Sequence, residues 1–223
     1  MPSRVLPSRV VLARVQLTLA AVLALVALVL GATLIVGDGA GSEAPEAFTV
    51  SPSGFAGAVS PPGARAPDFR LRDQDGAIVT LAAERGRVTV LTFLYTTCQD
   101  TCPIAASQIL GALEELGQSG KDVGALAVSV DPAHDTAARA RTFLLDRRLT
   151  GRMRFALGDE ARLRPVWRAY GIQPQGRDPD AKDYEHSARV VLVDKRGFQR
   201  VAFPLDQLTP PALAHDIRRL QAE

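Results

Sequence analysis

The sequence is poor in the side chains that most often carry redox or metal chemistry. Its 223 residues include only two cysteines and three histidines. Both cysteines, Cys98 and Cys102, lie within one stretch of five residues. Thiol chemistry is therefore confined to that stretch, and a framework of several disulfides is excluded.

The charge pattern gives no sign of nucleic-acid binding. The formal net charge is +2, but Arg4, Arg9 and Arg14 all precede the first acidic residue, Asp38. With those three set aside, the remaining 23 basic side chains face 24 acidic ones, a net charge of −1. The slight basic excess belongs to the N-terminal segment alone, and we expect no nucleic-acid partner.

One long segment has no charge at all. From Leu17 to Val36 every residue is apolar or small except Thr18 and Thr33, and this length is sufficient to cross a bilayer as a helix. The flanking arginines favour a cytoplasmic N-terminus (residues 1–15), a single-pass transmembrane anchor (16–37) and an extracytoplasmic remainder. A cleaved signal peptide is the alternative, although signal cores are usually shorter and no clear small-x-small cleavage site follows. In either case the cysteines face an oxidising space such as the periplasm.

Small residues and proline dominate the next segment, residues 38–65, without a sustained period. This composition predicts a flexible linker, which as a coil spans roughly 30 Å on average. We expect the linker to hold a globular domain, residues 66–223, near a partner in the membrane.

Strand and helix patterns alternate through the globular part. Asp75-Gly76 is a hairpin turn signal, and the apolar runs at 88–94 and 123–130 are typical of buried parallel strands. The predicted order is two hairpin strands (67–71, 78–81), a strand (88–94), a helix (103 to about 118), a strand (123–130), a helix (135 or 136 to about 145), a short strand (155–157), a helix (159–171), a polar loop (174–185), two strands (188–193, 199–203) and a last helix (209–220). This order predicts a thioredoxin-like α/β sheet with flanking helices and an N-terminal β-hairpin.

Cys98 and Cys102 stand where the first buried strand ends and a helix begins. Partial positive charge and free N–H groups at a helix N-terminus stabilise a thiolate and lower the pKa of a cysteine. Their spacing of four places both thiols on one face if the turn is helical, where they can close a disulfide or bind one metal ion together. A purely structural disulfide is less favoured, because so short a loop constrains the unfolded chain little.

One of the three histidines is the candidate for a third ligand. His186 ends the polar loop before the strand at Ala188, and in a thioredoxin-like fold this loop faces the cysteine motif. His134, in the turn after the second buried strand, is a rival, and we expect His215 to be a solvated residue of the last helix. Two thiolates and one imidazole form a soft donor set that suits Cu(I), with zinc as the common competitor. A structural zinc site normally closes with four protein ligands, whereas a site with three leaves the ion accessible to a partner.

Three stretches together resemble the signature of the Sco/SenC family. They are YTTCQDTCP (95–103), VSVDPAHDT (128–136) and EHSA (185–188), and the resemblance extends from about residue 66 to the C-terminus. The family comprises membrane-tethered thioredoxin-like proteins implicated in copper delivery to the binuclear copper centre of cytochrome c oxidase. The resemblance implies that Cys98, Cys102 and His186 are copper ligands. Two positions depart from the common pattern: Gln99 stands in place of a proline, and Glu185 in place of an aspartate.

These observations predict a copper metallochaperone held at the membrane by its N-terminal helix. The implied partners are the copper-site subunit of cytochrome c oxidase and an upstream thiol–disulfide reductant or second copper chaperone. The alternative is an enzyme, a thiol–disulfide oxidoreductase with Cys98 and Cys102 as the catalytic redox pair. The absence of the common two-residue cysteine spacing counts against a general reductase. A third hypothesis is a copper or redox sensor whose loop from Pro174 to Glu185 docks a partner.

Overall fold

The computed structural model describes residues 19–26, 48–172 and 189–223. The chain divides into two compact units, residues 1–47 and 48–223. In the first unit residues 19–26 are helical with exposed side chains, while the rest of the predicted anchor and residues 38–47 of the predicted linker lie outside the described residues. Within the described ranges, no helix has both the length and the apolar character needed to span a bilayer.

The described part of the second unit contains eight strands and four α-helices. They are β1 (Ala58–Val59), β2 (Arg70–Arg72), β3 (Ile78–Thr80), β4 (Thr89–Leu94), α1 (Thr101–Glu115), β5 (Gly124–Ser129), α2 (Ala137–Asp146), β6 (Arg154–Ala156), α3 (Glu160–Tyr170), β7 (Arg189–Val193), β8 (Gln199–Pro204) and α4 (Pro210–Ala222). Apart from β1, this is the predicted succession of strands and helices. The predicted polar loop at 174–185 lies outside the described residues.

A six-stranded mixed sheet, in the order β1-β8-β7-β4-β5-β6, organises this unit. β4, β5 and β6 are parallel, and β7 pairs antiparallel with both β4 and β8. β2 and β3 form the predicted hairpin as a separate two-stranded sheet. All residues of β4 and β5 are buried, as expected for central parallel strands with unbroken apolar runs. The predicted thioredoxin-like α/β architecture is confirmed.

Two hydrophobic cores lie on opposite faces of the sheet, because successive side chains of a strand point to opposite sides. Val90 of β4 belongs to the first core, with buried side chains of α1, α2 and α4. Its neighbour Leu91 belongs to the second core, with side chains of the hairpin and of α3. Cys98 and Cys102 are members of the first core, so both thiols lie on the face that α1 and α4 cover.

Residues 48–65, which composition predicts to be linker, belong to the compact unit instead. The Phe55 side chain is only 5% exposed and packs in the first core, and β1 pairs with β8. The buried Asp216 carboxylate of α4 accepts hydrogen bonds from the backbone N–H groups of Ala56 and Gly57, at 2.8 and 3.0 Å. The linker prediction is therefore wrong for this part. The partners of the segment lie up to 166 residues away in the sequence, so its packing produces no local periodicity.

Candidate functional site

The two cysteines lie where the predicted strand and helix meet. β4 ends at Leu94 and α1 begins at Thr101, so Cys98 is in the connecting loop and Cys102 is in the first helical turn, next to Pro103. This junction is at the carboxyl end of a parallel strand, the edge at which open α/β sheets gather their functional groups. Both thiols are free and buried, with exposures of 8% and 4%.

Hydrogen bonds make Cys98 the more acidic thiol. The backbone N–H of Cys102 donates to Cys98 Sγ at 3.2 Å, and the Thr101 hydroxyl lies 3.6 Å from the same sulfur. The Cys102 thiol is the strongest influence, and with the N–H groups of Cys102 and Asp100 and the Thr101 hydroxyl it outweighs burial and lowers the pKa of Cys98 to about 4. The same thiol–thiol hydrogen bond, together with burial, raises the pKa of Cys102. At neutral pH the pair is thus one thiolate, Cys98, and one thiol, Cys102.

The sulfur of Cys98 takes the place of a helix cap. The Asp100 side chain provides no capping hydrogen bond to α1. Cys98 Sγ accepts a hydrogen bond from the second N–H of the helix. This N–H is one of the groups that have no partner within the helix at its N-terminus. The structure agrees with the prediction that a helix N-terminus stabilises a thiolate here. The spacing of the two cysteines in the sequence does not distinguish them, whereas their contacts in the folded chain shift their pKa values in opposite directions.

Asp135 connects the cysteine loop to the neighbouring strand. Its Oδ1 accepts from the N–H and the hydroxyl of Thr96, at 2.7 and 2.6 Å, and its Oδ2 accepts from the Ser129 hydroxyl at 2.6 Å. The Trp167 indole N–H donates to the Ser129 carbonyl at 2.8 Å. Burial raises the pKa of Asp135 in spite of the hydrogen bonds from Ser129 and Thr96. In the sequence Asp135 marks only a possible start of the predicted helix at 135 or 136, and the cap of that helix is Thr136.

Two of the three histidines have other partners. The His134 side chain is 62% exposed, and its Nδ1 lies 2.9 Å from Asp131 Oδ2. His215 donates from Nε2 to the Gly54 carbonyl at 3.1 Å, and its ring packs against Phe48. The expectation that His215 is a freely solvated residue is therefore corrected, because it holds the N-terminal part of the unit against α4.

The third predicted ligand, His186, lies outside the described residues, as does the loop before it. Among the residues that the structure does describe, no group of three His, Cys, Asp or Glu side chains is arranged to hold a metal ion. The described donors are the two sulfurs, Cys98 and Cys102. Adjacent sulfurs of this kind fit a soft ion such as Cu(I), and by themselves they do not complete a four-ligand zinc site.

A cleft of about 620 Å³ lies away from the cysteines. It lies at the starts of β5 and β6, and its lining includes Glu84, Arg87 and Arg154. The buried Glu84 carboxylate pairs with both arginines. A smaller cleft, of about 330 Å³, is lined in part by Cys98. We assign the chemistry to the smaller cleft, because it contains the reactive group and lies at the functional edge of the sheet.

Comparisons with known proteins agree on one family. The family model described as SCO1/SenC matches residues 58–222. The SCO2-like protein RP587 of Rickettsia prowazekii is 28% identical over 142 residues, which cover 62% of this chain and 68% of the relative. The copper-bound structure of ScoI from Bradyrhizobium japonicum is similar with a TM-score of 0.60 and 29% identity, over 70% of this chain and 99% of that chain.

A third comparison is with BsSco, a Sco-family cytochrome c oxidase assembly protein in which a disulfide switch was identified. Its TM-score is 0.61 at 19% identity, over 73% of this chain and 96% of that chain. At this identity the likeness establishes the fold and nothing finer.

Proposed function

The chain belongs to the SCO1/SenC family, and on this premise we propose that it binds copper and delivers it to the binuclear copper site of cytochrome c oxidase. The proposed ligands are Cys98, Cys102 and His186. The observation that carries the proposal is the pair of adjacent free thiols at the start of α1, one of them a thiolate. The copper-bound state of ScoI, which is 29% identical to this chain, supports it.

The unequal thiols suggest an order of binding. Cys98 makes the first bond to the ion because its sulfur is already deprotonated. Cys102 binds next and releases its proton, since a coordinating cysteine binds as the thiolate. With His186 the site has three donors, which leaves the ion open to a ligand of the recipient. Copper can then pass by ligand exchange, one bond at a time, without being released into solution.

We place the domain on the extracytoplasmic side of the membrane, held by the N-terminal apolar segment. The arginines that precede this segment favour that orientation. In an oxidising compartment an unoccupied dithiol tends to become a disulfide. Copper loading therefore requires an upstream reductant as well as a copper donor, and the copper-site subunit of the oxidase is the recipient.

A copper titration of the reduced full-length chain, followed by X-ray absorption, tests this function. We expect one Cu(I) per chain with two sulfur ligands and one nitrogen ligand. Cys102→Ser should remove one sulfur, and His186→Ala should remove the nitrogen and weaken binding. His134→Ala is the matched control, because this exposed imidazole pairs with Asp131 and should leave both signals unchanged. Equal copper affinity in the wild type and in His186→Ala would remove His186 from the site.

A second function, thiol–disulfide oxidoreductase, is favoured by the difference in acidity between the two thiols. The Cys98 thiolate attacks a sulfur of the partner disulfide, whose S–S bond breaks as a mixed disulfide forms and one partner sulfur leaves as a thiolate. Cys102 then loses its proton and attacks Cys98 Sγ, so the Cys98–Cys102 disulfide forms and the second partner sulfur leaves. Two electrons pass from the dithiol to the partner disulfide.

Trapping distinguishes this second function from copper delivery. In Cys102→Ser the reaction should stop at the mixed disulfide, which non-reducing electrophoresis and mass spectrometry detect. If no mixed disulfide is trapped from membranes that contain the oxidase, and the wild type still transfers copper, the result argues against a reductase. The two functions are compatible, because the dithiol must be reduced before it binds copper.

A further inference from the structure

We propose that Arg147 forms an anion subsite beside Cys98, and that this subsite favours reaction of Cys98 with low-molecular-weight disulfides that carry a carboxylate. The inference rests on the thiol reactivity proposed above and adds the class of compound that the site selects. It does not depend on copper, because Arg147 is not among the proposed ligands.

The subsite is the cleft of about 330 Å³ that opens next to the Cys98 thiol. Its walls include loop residues that precede α1 and residues of α2 and its C-terminal end, namely Thr96, Thr97, Cys98, Arg139, Phe143 and Arg147. Proteins bind small molecules in clefts of about 300–1,000 Å³, so this one is suited to a compact compound. Cys98 is among the residues that line it and Cys102 is not.

The Arg147 side chain lines this cleft and has no hydrogen-bond acceptor among the residues that the structure describes. Its Nε is buried and has no hydrogen-bond acceptor in the described part of the chain, and its guanidinium carbon stands 6.0 Å from the centre of the Phe143 ring. Two arginines nearby are engaged: Arg139 donates to a backbone carbonyl at 3.1 Å, and Arg148 pairs with Glu114 at 3.3 Å. Buried donors without an acceptor are rare in proteins. A guanidinium is well shaped to receive a carboxylate through two parallel hydrogen bonds.

The preference for an anion comes from Arg147 and not from the net charge of the cleft. Arg139 and Arg147 line it together with two anions, Asp146 and the Cys98 thiolate, and Arg139 already donates to a backbone carbonyl. A compound whose carboxylate binds Arg147 has its sulfur held near Cys98, because both side chains line the same small cleft. A positively charged compound gains no such contact with Arg147.

The selected reaction is a thiol–disulfide exchange. The Cys98 thiolate attacks one sulfur of the disulfide, a bond forms between the two sulfurs, and the original S–S bond breaks. The other half of the compound leaves as a thiolate, and the disulfide is itself the oxidant. With Cys102 replaced by serine the reaction stops at the mixed disulfide, and each event releases one free thiol.

The test uses the full-length, reduced, copper-free chain that carries Cys102→Ser, in which Cys98 is the only thiol. Rate constants are measured with three disulfides: oxidised glutathione, which carries carboxylates, neutral 2-hydroxyethyl disulfide and cationic cystamine. With Arg147→Met we expect the rate constant for oxidised glutathione to fall about tenfold, as expected for the loss of a charge-assisted contact. The rate constant for the neutral disulfide should change little.

Arg148→Met is the matched control, because it removes the same charge one residue further on, from an exposed side chain paired with Glu114. An exposed pair of this kind contributes little, so all three rate constants should stay within about twofold of the parent. Equal losses for all three disulfides in Arg147→Met would indicate a structural role and overturn the proposal. Unchanged rates in that variant would overturn it as well.

Alkylation of Cys98 separates failure of the subsite from failure of the oxidoreductase function. Iodoacetate carries a carboxylate and iodoacetamide does not, so the ratio of their rate constants reports the subsite without any disulfide. We expect Arg147→Met to lower this ratio and Arg148→Met to preserve it. A ratio insensitive to Arg147 refutes the subsite. The ratio could fall in Arg147→Met although Cys98 reacts with no disulfide. That result supports the subsite and refutes only the oxidoreductase function.

Discussion

Asp135 is the side chain whose removal we expect to loosen the thiol site most directly. Its carboxylate receives three hydrogen bonds of 2.6–2.7 Å, two from Thr96 and one from Ser129. Thr96 precedes Cys98 by two residues, and Ser129 is the last residue of β5. Asp135→Ala therefore detaches the cysteine loop from the adjacent strand and leaves three donors without an acceptor.

The expected loss of stability follows from those three donors. A buried donor left without an acceptor costs about 1–3 kcal/mol. Thr96 is only partly buried, so water can reach its groups, and removal of a buried carboxylate also relieves its own desolvation cost. We expect the free energy of unfolding to fall by about 2–4 kcal/mol in Asp135→Ala. Asp135→Asn should lose about 1 kcal/mol, because its amide keeps one acceptor and the Ser129 hydroxyl can rotate to accept from the other side.

Urea unfolding of the full-length chain, followed by tryptophan fluorescence, measures this loss. Trp167 is the single tryptophan and hydrogen-bonds to Ser129, so its signal reports the region concerned. Asp206→Ala is the control, since this carboxylate is exposed and has no hydrogen bond within the described ranges. The copper affinity of Asp135→Ala should also weaken several-fold, because Cys98 is no longer held in place.

Two results would refute this reasoning. A loss below about 0.5 kcal/mol in Asp135→Ala would mean that the three hydrogen bonds are replaced by water without cost. An unaltered copper affinity in a variant that is clearly destabilised would show that Asp135 supports the fold and does not position the thiol.

Three further predictions follow from other contacts. Gly57→Ala places a methyl group 2.5 Å from Val201 Cγ1, so urea unfolding should show about 1–3 kcal/mol lower stability; an unchanged midpoint would mean that β1 detaches without cost. Burial alone would raise the pKa of Asp194, but N–H groups of its own turn and the Arg200 guanidinium hold it below the usual value. The Asp194 carboxylate therefore stabilises the fold above about pH 4, and this contribution is lost as the pH falls through the lowered pKa. In Asp194→Asn the free energy of unfolding should fall less steeply with decreasing pH in the acid range. An unchanged dependence on pH would contradict this. Because the pKa of Cys98 is about 4, its alkylation rate in the reduced wild type, followed at Cys98 by mass spectrometry, should be nearly constant from pH 6 to 8; a tenfold rise per pH unit there would show an ordinary thiol.

Much of the fold could be predicted because its signals are local. The apolar runs of β4 and β5 and the Asp75-Gly76 turn of the hairpin each lie within a few neighbouring residues, and β4, β5 and the hairpin are found as predicted. The position of the cysteines at a strand–helix junction was predictable for the same reason. The family resemblance also rests on short local motifs, which the family match confirms.

The linker boundary and the role of Asp135 could not be predicted in this way. The segment around Gly57 reads as linker because its residues are small, and its order comes from β8 and from Asp216, far along the chain. In the sequence Asp135 is only one of two possible first residues of the next helix. Its contact with Thr96 spans 39 residues and requires the parallel pairing of β4 and β5.

The sequence by itself determined which residues are available for chemistry: two thiols four positions apart at the start of a helix, within an α/β chain. The tertiary structure decided how those two thiols differ and what surrounds them. The pKa of a thiol depends on which donors reach its sulfur and how far water is excluded, and both depend on packing. The same packing places Arg147 beside Cys98, with no acceptor for its Nε among the described residues, because α2 and the cysteine loop meet only in the folded chain.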